Sequence, residues 1–282
     1  MTKVIHTVAE FQLETAHKKV GAVFTMGALH QGHAALMQKC RELIGKDGLL
    51  VVTVFVNPTQ FNDPKDLEKY PRDLESDVKL CSENSVDIVF APSVSEIYPV
   101  NEPVKKIVAG KISEILEGES RPGHFAGVAT VVNRLLEITR PVVTCFGEKD
   151  FQQLAVVKQM VSEFEIAVNV VGVPTVREAD GLAMSSRNQR LSKEHREISM
   201  HIYGALVRVK KNLQSGMKVS SSIEEVKDWL KSFTEIHLDY LTVLSPELLN
   251  PGPGLARVLI AAKIGDVRLI DNIECELGAI NV

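Results

Sequence analysis

The chain has 282 residues, of which 45% are hydrophobic, 24% charged and 5% aromatic. This is ordinary globular composition. It excludes disordered, collagen-like and low-complexity classes, and a chain of this size buries roughly 75% of its unfolded surface without disulfide staples. Its 32 basic and 36 acidic residues give a net charge of −4, and without a basic excess no nucleic-acid partner is expected.

The opening stretch, MTKVIHTVAEFQLETAHKK, has no apolar core of the signal-peptide kind. No run of about 18 apolar residues follows, so no membrane span is expected and the default location is the cytoplasm. Cys40, Cys81, Cys145 and Cys275 are far apart. They form no CxxC pair and read as small apolar fillers.

Along the chain, short apolar runs alternate with helical patterns. Val20–Thr25 reads as a buried strand and Gly32–Ile44 as a helix. Leu49–Val56 is a near-continuous apolar run rich in valine, the pattern of a strand covered on both faces. A helix over Arg72–Glu83, a strand over Val86–Ala91 and a helix over Phe125–Thr139 follow, the last stopped by Pro141. Then come a strand at Val142–Phe146, a helix at Phe151–Phe164 and a strand at Ile166–Val173. Strands alternating with helices of 10–15 residues predict βαβ units, so residues 1–175 are read as a Rossmann-like, doubly wound α/β domain with a parallel sheet.

Residues 176–282 change character. Ser192–Leu213 and Ser220–Phe233 are helical, with Ser192 as N-cap and Glu194 favouring the first-turn dipole. His237–Leu244, Ala256–Ile264 and Asp266–Ile270 read as strands joined by short connections. A smaller α+β domain with an antiparallel sheet is expected there.

The sharpest chemical feature is Thr25-Met26-Gly27-Ala28-Leu29-His30-Gln31-Gly32-His33, which follows the first buried strand and opens a helix. Glycines permit close backbone approach, and a helix N-terminus suits a phosphate. His30 and His33 are three residues apart, a spacing that lets both face one site. The histidines lack a third ligand nearby, so a metal reading is weaker. GxxxxGK[ST] and GxGxxG are both absent. Gly181-Leu182-Ala183-Met184-Ser185-Ser186-Arg187-Asn188 sets two hydroxyls beside an arginine, a donor set for an anion. Taken alone, either segment is also compatible with an ordinary turn or polar loop.

In order, these two segments resemble the HIGH and KMSKS signatures of the nucleotidylyltransferase superfamily. Phe55-Val56-Asn57-Pro58-Thr59-Gln60-Phe61 and Phe146-Gly147-Glu148-Lys149-Asp150-Phe151-Gln152-Gln153 each end a strand, where open α/β sheets bind ligands. There Asn57, Gln60 and Gln153 suit a polar acid. Lys149 suits phosphate charge and Asp150 suits ribose hydroxyls.

The segments TMGALHxGH, FVNPxQF, RPGHFxGV, FGEKDFQQL, GVPTVREADGLAxSSRN and ARVLIAAKIGDVRLIDN span Val20 to Asn272. They resemble the pantoate–β-alanine ligase family. The resemblance implies ATP-dependent condensation of (R)-pantoate with β-alanine through a pantoyl adenylate, releasing AMP and diphosphate, with Mg²⁺. It implies an ATP site at Met26, Gly27, Ala28, Leu29, His30, Gln31, Gly32 and His33, with His33 as proton donor. Gly147, Glu148, Lys149, Asp150, Val176, Met184, Ser185, Ser186 and Arg187 would complete it. Gln60 would contact pantoate and β-alanine, and Gln153 pantoate, with Met26 and Asn57 beside them. His33, His30, Lys149, Ser185, Ser186 and Arg187 would carry the catalysis. A homodimer is implied, and the smaller domain, hinged near Thr175–Asp180, is the expected lid.

The family usually carries proline where this chain has Phe24, which bears on the pantoate pocket. No magnesium ligand is identified; Asp73, Glu75 and Asp77 read as a solvated helix face. Two other readings stay open: a nucleotidyltransferase that stops at nucleotide transfer, and a non-catalytic nucleotide-sensing module. A tRNA-synthetase fragment is disfavoured by the acidic charge.

Overall fold

The computed structural model describes residues 2–61, 67, 68, 70–102 and 104–281. The chain divides into two compact units. One comprises the residues up to Glu148 together with Gln152–Pro174; the other comprises Lys149–Phe151 with the residues from Thr175 onward.

The first unit is built on a six-stranded sheet. Its strands are β1 (Lys3–Ile5), β2 (Val20–Thr25), β3 (Leu49–Val54), β4 (Ile88–Phe90), β5 (Val143–Gly147) and β6 (Asn169–Val173), in the spatial order β1-β4-β3-β2-β5-β6. Every pairing is parallel. Parallel strands need crossovers, and helices supply them: α1 (Val8–Thr15), α2 (Gln31–Ile44), α3 (Leu74–Glu83), the short α4 (Val94–Ile97) and α5 (Glu117–Ser120), α6 (His124–Thr139) and α7 (Phe151–Glu163).

Side chains alternate across the strands and feed two apolar clusters. Val51, Ile88 and Phe90 pack with Phe11 of α1, with Val128, Leu135 and Ile138 of α6, and with Val157 of α7. Leu50, Val52 and Val89 pack with Met37, Cys40 and Ile44 of α2 and with Cys81 of α3. Both faces are therefore covered, which explains the unbroken apolar runs in β2 and β3. From β2 the chain moves outward to β3 and β4, then returns to β5 on the other side. The gap between the carboxyl ends of β2 and β5 is thus a switch point, where such sheets bind ligands.

Two expectations need correction here. The apolar pattern does not predict β1 and α1, which are both present. The strand after Ala256–Ile264 runs over Val267–Leu277 rather than stopping at Ile270.

The second unit packs α8 (Lys193–Gln214) and α9 (Val219–Leu230) on an antiparallel sheet of β7 (Ile236–Leu244), β8 (Gly254–Ile264) and β9 (Val267–Leu277), with β8 central. Ile202, Leu206, Val209 and Leu213 of α8 meet Val258, Ile260 and Ile264 of β8. Ser192 caps α8, its Oγ accepting from the His195 N–H at 3.2 Å. All four cysteines are buried. Burial pushes the Cys81 thiol up to about 12, in keeping with an apolar filler.

The C-terminal half of α2 packs closely on β2, and Gly21 makes this possible. A Cβ there would lie 2.5 Å from Ile44 Cγ2 and 2.7 Å from Cys40 Sγ. Both side chains are buried in the core. We expect Gly21→Ala to destabilise the protein by roughly 1–3 kcal/mol, the usual range for overpacking. The measurement is a lowered urea midpoint at constant slope; an unchanged midpoint would mean that this interface yields without cost.

Candidate active site

The turn after β2 is held by side chains before it meets any ligand. Thr25 Oγ1 donates to Thr53 O at 2.6 Å and accepts from the Gly27 N–H at 3.2 Å. Gly27 (φ +84°) and Ala28 (φ +53°) then turn left-handed in succession. For alanine this conformation costs about 1–2 kcal/mol, so something must hold it. That group is Asp77, in the first turn of α3 and only 2% exposed. Its Oδ1 accepts from the Leu29 N–H at 2.8 Å and its Oδ2 from the Ala28 N–H at 3.2 Å. Burial raises the Asp77 carboxyl above its ordinary value, and the two amides pull it back. The solvated-face expectation therefore holds for exposed Asp73 and Glu75 but fails for Asp77.

His30 is the N-cap of α2. Its Nδ1 accepts from the Gly32 N–H at 3.1 Å, and His33 Nδ1 accepts from the His30 N–H at 3.1 Å. The H-x-x-H spacing thus makes a reciprocal cap, the work that Ser/Thr and Glu usually share. A neutral ring whose Nδ1 accepts carries its proton on Nε2, so this cap assigns the tautomer of both histidines. The rings lie 4.2 Å apart, tilted by 52°. The backbone donors of Ala28, Leu29, His30, Gly32 and His33 all have protein partners. At this helix start the N–H groups of these five residues are thus engaged within the protein.

After β3, Gln60 is pinned from several sides. Its Oε1 accepts from Asn57 Nδ2 at 3.0 Å and its Nε2 lies 3.1 Å from Met26 Sδ. Its carbonyl accepts from His124 Nδ1 at 2.9 Å and from Arg121 Nη2 at 3.3 Å. Asn57, buried, also donates to Gly127 O at 3.3 Å, while its Oδ1 accepts from Tyr98 Oη at 2.9 Å and from both Thr59 N and Oγ1. Both Asn57 hydrogens and its oxygen are therefore engaged. Asn57 thereby holds the Gln60 side chain in place. A Cβ on Gly127 would sit 2.5 Å from Thr59 O, so that glycine lets α6 approach the Gln60 turn. The RPGHFAGV segment, which carries no chemistry on sequence reading, supplies Arg121, His124 and Gly127.

On β5, Gly147 closes the strand opposite Val173, and Glu148 lies against Gly172. Phe24 at the end of β2 meets Phe146 edge-on, with ring centroids 6.2 Å apart. Of the adjacent glutamines, Gln152 is structural. It accepts from the Glu117 N–H and donates to Ile112 O and Ile115 O, both at 2.7 Å. Gln153 is half-buried.

In the second unit, Lys149 is mostly buried and its Nζ lies 3.5 Å from Asp150 Oδ1. The Lys149 carbonyl accepts from Asn272 Nδ2 at 3.0 Å. Asn272 Oδ1 accepts in turn from Arg257 Nη1 at 2.8 Å, and Arg257 lies over the Phe151 ring at 4.2 Å. Asp271 takes both ends of the Arg177 guanidinium, at 2.6 and 3.0 Å. Burial raises the Asp271 carboxyl; Arg177 opposes that rise. Val176 O accepts from the Met184 N–H at 3.0 Å, and Arg177 bridges to Ala183, so the two sides of this loop run antiparallel. Ser185 then caps a short 3-10 turn, Ser186–Arg190, its Oγ accepting from the Arg187 N–H. Ser185 and Ser186 are half-buried and Arg187 is exposed. Among the described residues, no three His, Cys, Asp or Glu side chains come together as a metal-ligand group.

The family model for pantoate-beta-alanine ligase matches residues 2–274. The pantothenate synthetase of a Nocardioides species is 45% identical over 270 residues, covering 93% of this chain and 80% of that relative. That of Thermus thermophilus is 44% identical, covering 96% and 99%. A crystal structure of the Thermus thermophilus enzyme superposes with a TM-score of 0.91 at 41% identity, over 100% of each chain. The crystal structure of a Francisella tularensis pantoate-beta-alanine ligase complexed with beta-gamma ATP and beta-alanine gives 0.81 at 36% identity, over 97% of each. A match spanning nearly the whole sequence, on a sheet whose neighbouring strands β2 and β3 carry the histidine turn and the pinned glutamine at their carboxyl ends, means that the chain belongs to the pantoate-beta-alanine ligase family.

Proposed function

We propose that this chain joins (R)-pantoate to β-alanine in two steps, using the side chains described above. The observation that carries the reading is the meeting of the His30–His33 turn after β2 with Gln60 after β3, through Met26. Both stand at the carboxyl ends of neighbouring strands. In the first step a pantoate carboxylate oxygen attacks the α-phosphorus of ATP and diphosphate departs. In the second, the free amine of β-alanine attacks the activated carbonyl, losing a proton as the amide forms, and AMP departs.

The first nucleophile is already an anion, so no strong base is required. The barrier lies in charge building on the α-phosphorus and the departing diphosphate, where preorganised donors act most strongly. His30 and His33 donate from Nε2, Lys149 supplies a cation, and Ser185, Ser186 and Arg187 add donors. In the first unit Met26, Gly27, Ala28, Leu29, Gln31 and Gly32 are assigned to the nucleotide together with Gly147 and Glu148; in the second unit Asp150, Val176 and Met184 are assigned to it. Gln60 and Gln153 hold pantoate, and Gln60 also meets β-alanine. Gln60 suits this role because Oε1 keeps a second lone pair and Nε2 a second hydrogen. The donor sets do not fit a dedicated magnesium site: Asp73 caps its helix and Asp77 faces backbone amides. The ion would arrive on the nucleotide phosphates, as Mg²⁺ usually does. The same reading includes a homodimer and a cytoplasmic site of action. No described helix is long and apolar enough to cross a membrane.

Diphosphate and AMP release should require ATP, pantoate and β-alanine together for sustained turnover. Purified protein that never liberates diphosphate from Mg-ATP and D-pantoate would end this reading. His33→Ala and Lys149→Ala are each expected to lower kcat by about 10²–10³, the usual cost of one transition-state donor. Near-full turnover in a folded variant would remove that residue from the mechanism. Gln60→Ala and Gln153→Ala should act mainly on the pantoate KM, and unchanged values in both would count against this pocket.

A further inference from the structure

Asp77 stands outside every motif that the sequence singles out for chemistry, yet its carboxylate touches the turn that carries both histidines. It comes from α3, 48 and 49 residues further along the chain. It is buried, and its two oxygens divide between two successive amides, Ala28 and Leu29. Those amides belong to the second left-handed residue and to the residue before His30. A Cβ on Gly27 would lie 2.8 Å from Asp77 Oδ2, so the glycine is also what lets the carboxylate approach. The next backbone N–H, of His30, goes to His33. A run of bonds therefore leads from the carboxylate through the turn into the reciprocal histidine cap, all within one unit.

We propose that Asp77 is a positioning residue for adenylate formation: it fixes the Gly27–Leu29 turn so that the Nε2 groups of His30 and His33 meet the triphosphate in register. The proposal rests on the ligase reading above. An amide at this position has one acceptor oxygen, so Asp77→Asn would turn an NH₂ group toward a backbone N–H. The side-chain volume is kept while one of the two anchors is lost.

The experiment compares wild type and Asp77→Asn in two half-reactions. Pantoate-dependent ATP–pyrophosphate exchange reads adenylate formation. Single-turnover aminolysis of preformed pantoyl adenylate by β-alanine reads the second step without diphosphate. Exchange kcat should fall by about 10²-fold, the cost of a misplacement near 1 Å. Pantoate KM and aminolysis should change far less. The ¹⁵N shifts of the histidine rings should also lose the pattern of an accepting Nδ1 and a protonated Nε2. Wild-type exchange in Asp77→Asn would overturn the proposal, as would an equal fall in exchange and aminolysis, which marks general damage to the fold. Should Asp77→Asn not fold, Asp77→Glu keeps two acceptor oxygens one methylene further out and carries the same readouts, with exchange reduced at least about tenfold. Absence of exchange in the wild type would sink the ligase reading itself and is distinguishable from either result.

Discussion

A half-buried turn still has to satisfy its backbone N–H groups, and the candidate site is organised around how this one does so. An unpaired buried donor costs about 1–3 kcal/mol. The turn after β2 faces that cost in full at buried Gly27 and in part at the half-buried residues after it, while also holding Ala28 in a left-handed conformation. It solves the problem with side chains: Thr25 for Gly27, Asp77 for Ala28 and Leu29, His33 for His30, and His30 for Gly32. The two histidines thereby have fixed ring orientations and fixed tautomers before any substrate arrives. Preorganisation of this kind is what makes a donor effective toward charge that appears only in the transition state.

The same device recurs around Gln60 and Lys149. The Gln60 carbonyl is held by His124 and Arg121, and its amide by Asn57, which is itself fixed by Tyr98, Thr59 and Gly127. The Lys149 carbonyl is held by Asn272, which is fixed by Arg257. In each case the group read as functional stands at the end of a short chain of polar contacts that begins in a distant element. This gives physical content to the RPGHFAGV and C-terminal ARVLIAAKIGDVRLIDN segments. They supply the supports, not the reacting groups.

That arrangement also explains what the sequence can and cannot disclose. β2, β3 and β5 are legible because burial on both faces forces unbroken apolar runs, and α2, α6 and α8 because their apolar faces recur at helical spacing. The His30–His33 turn is legible because its residues are contiguous. Asp77 is not. Its two exposed neighbours, Asp73 and Glu75, make the whole face look solvated, and nothing local records that one carboxylate turns inward onto a loop 48 residues earlier. Asn57 is the complementary case: it is next to Gln60 and chemically suited to a substrate, and nothing local records how many of its hydrogen bonds run inside the fold. β1 escapes notice because three residues at a sheet edge carry no period of their own.

These contacts bear on why the motif is made of histidines at all. A glycine-rich phosphate loop binds anions with bare backbone amides, and the protein need supply little else. Here the amides of Ala28, Leu29, His30, Gly32 and His33 are already committed to carboxylate, imidazole or carbonyl partners. On the ligase reading proposed above, anion recognition at these residues passes to side chains that reach beyond the turn. An imidazole does both jobs at once, because its Nδ1 accepts from the backbone while Nε2–H points the other way. Serine or glutamate would complete the cap equally well but would leave no donor on the far side, and lysine would supply charge but could not accept from an amide. The H-x-x-H spacing is therefore the helix-capping spacing, and the requirement for an outward donor selects histidine at both of its ends.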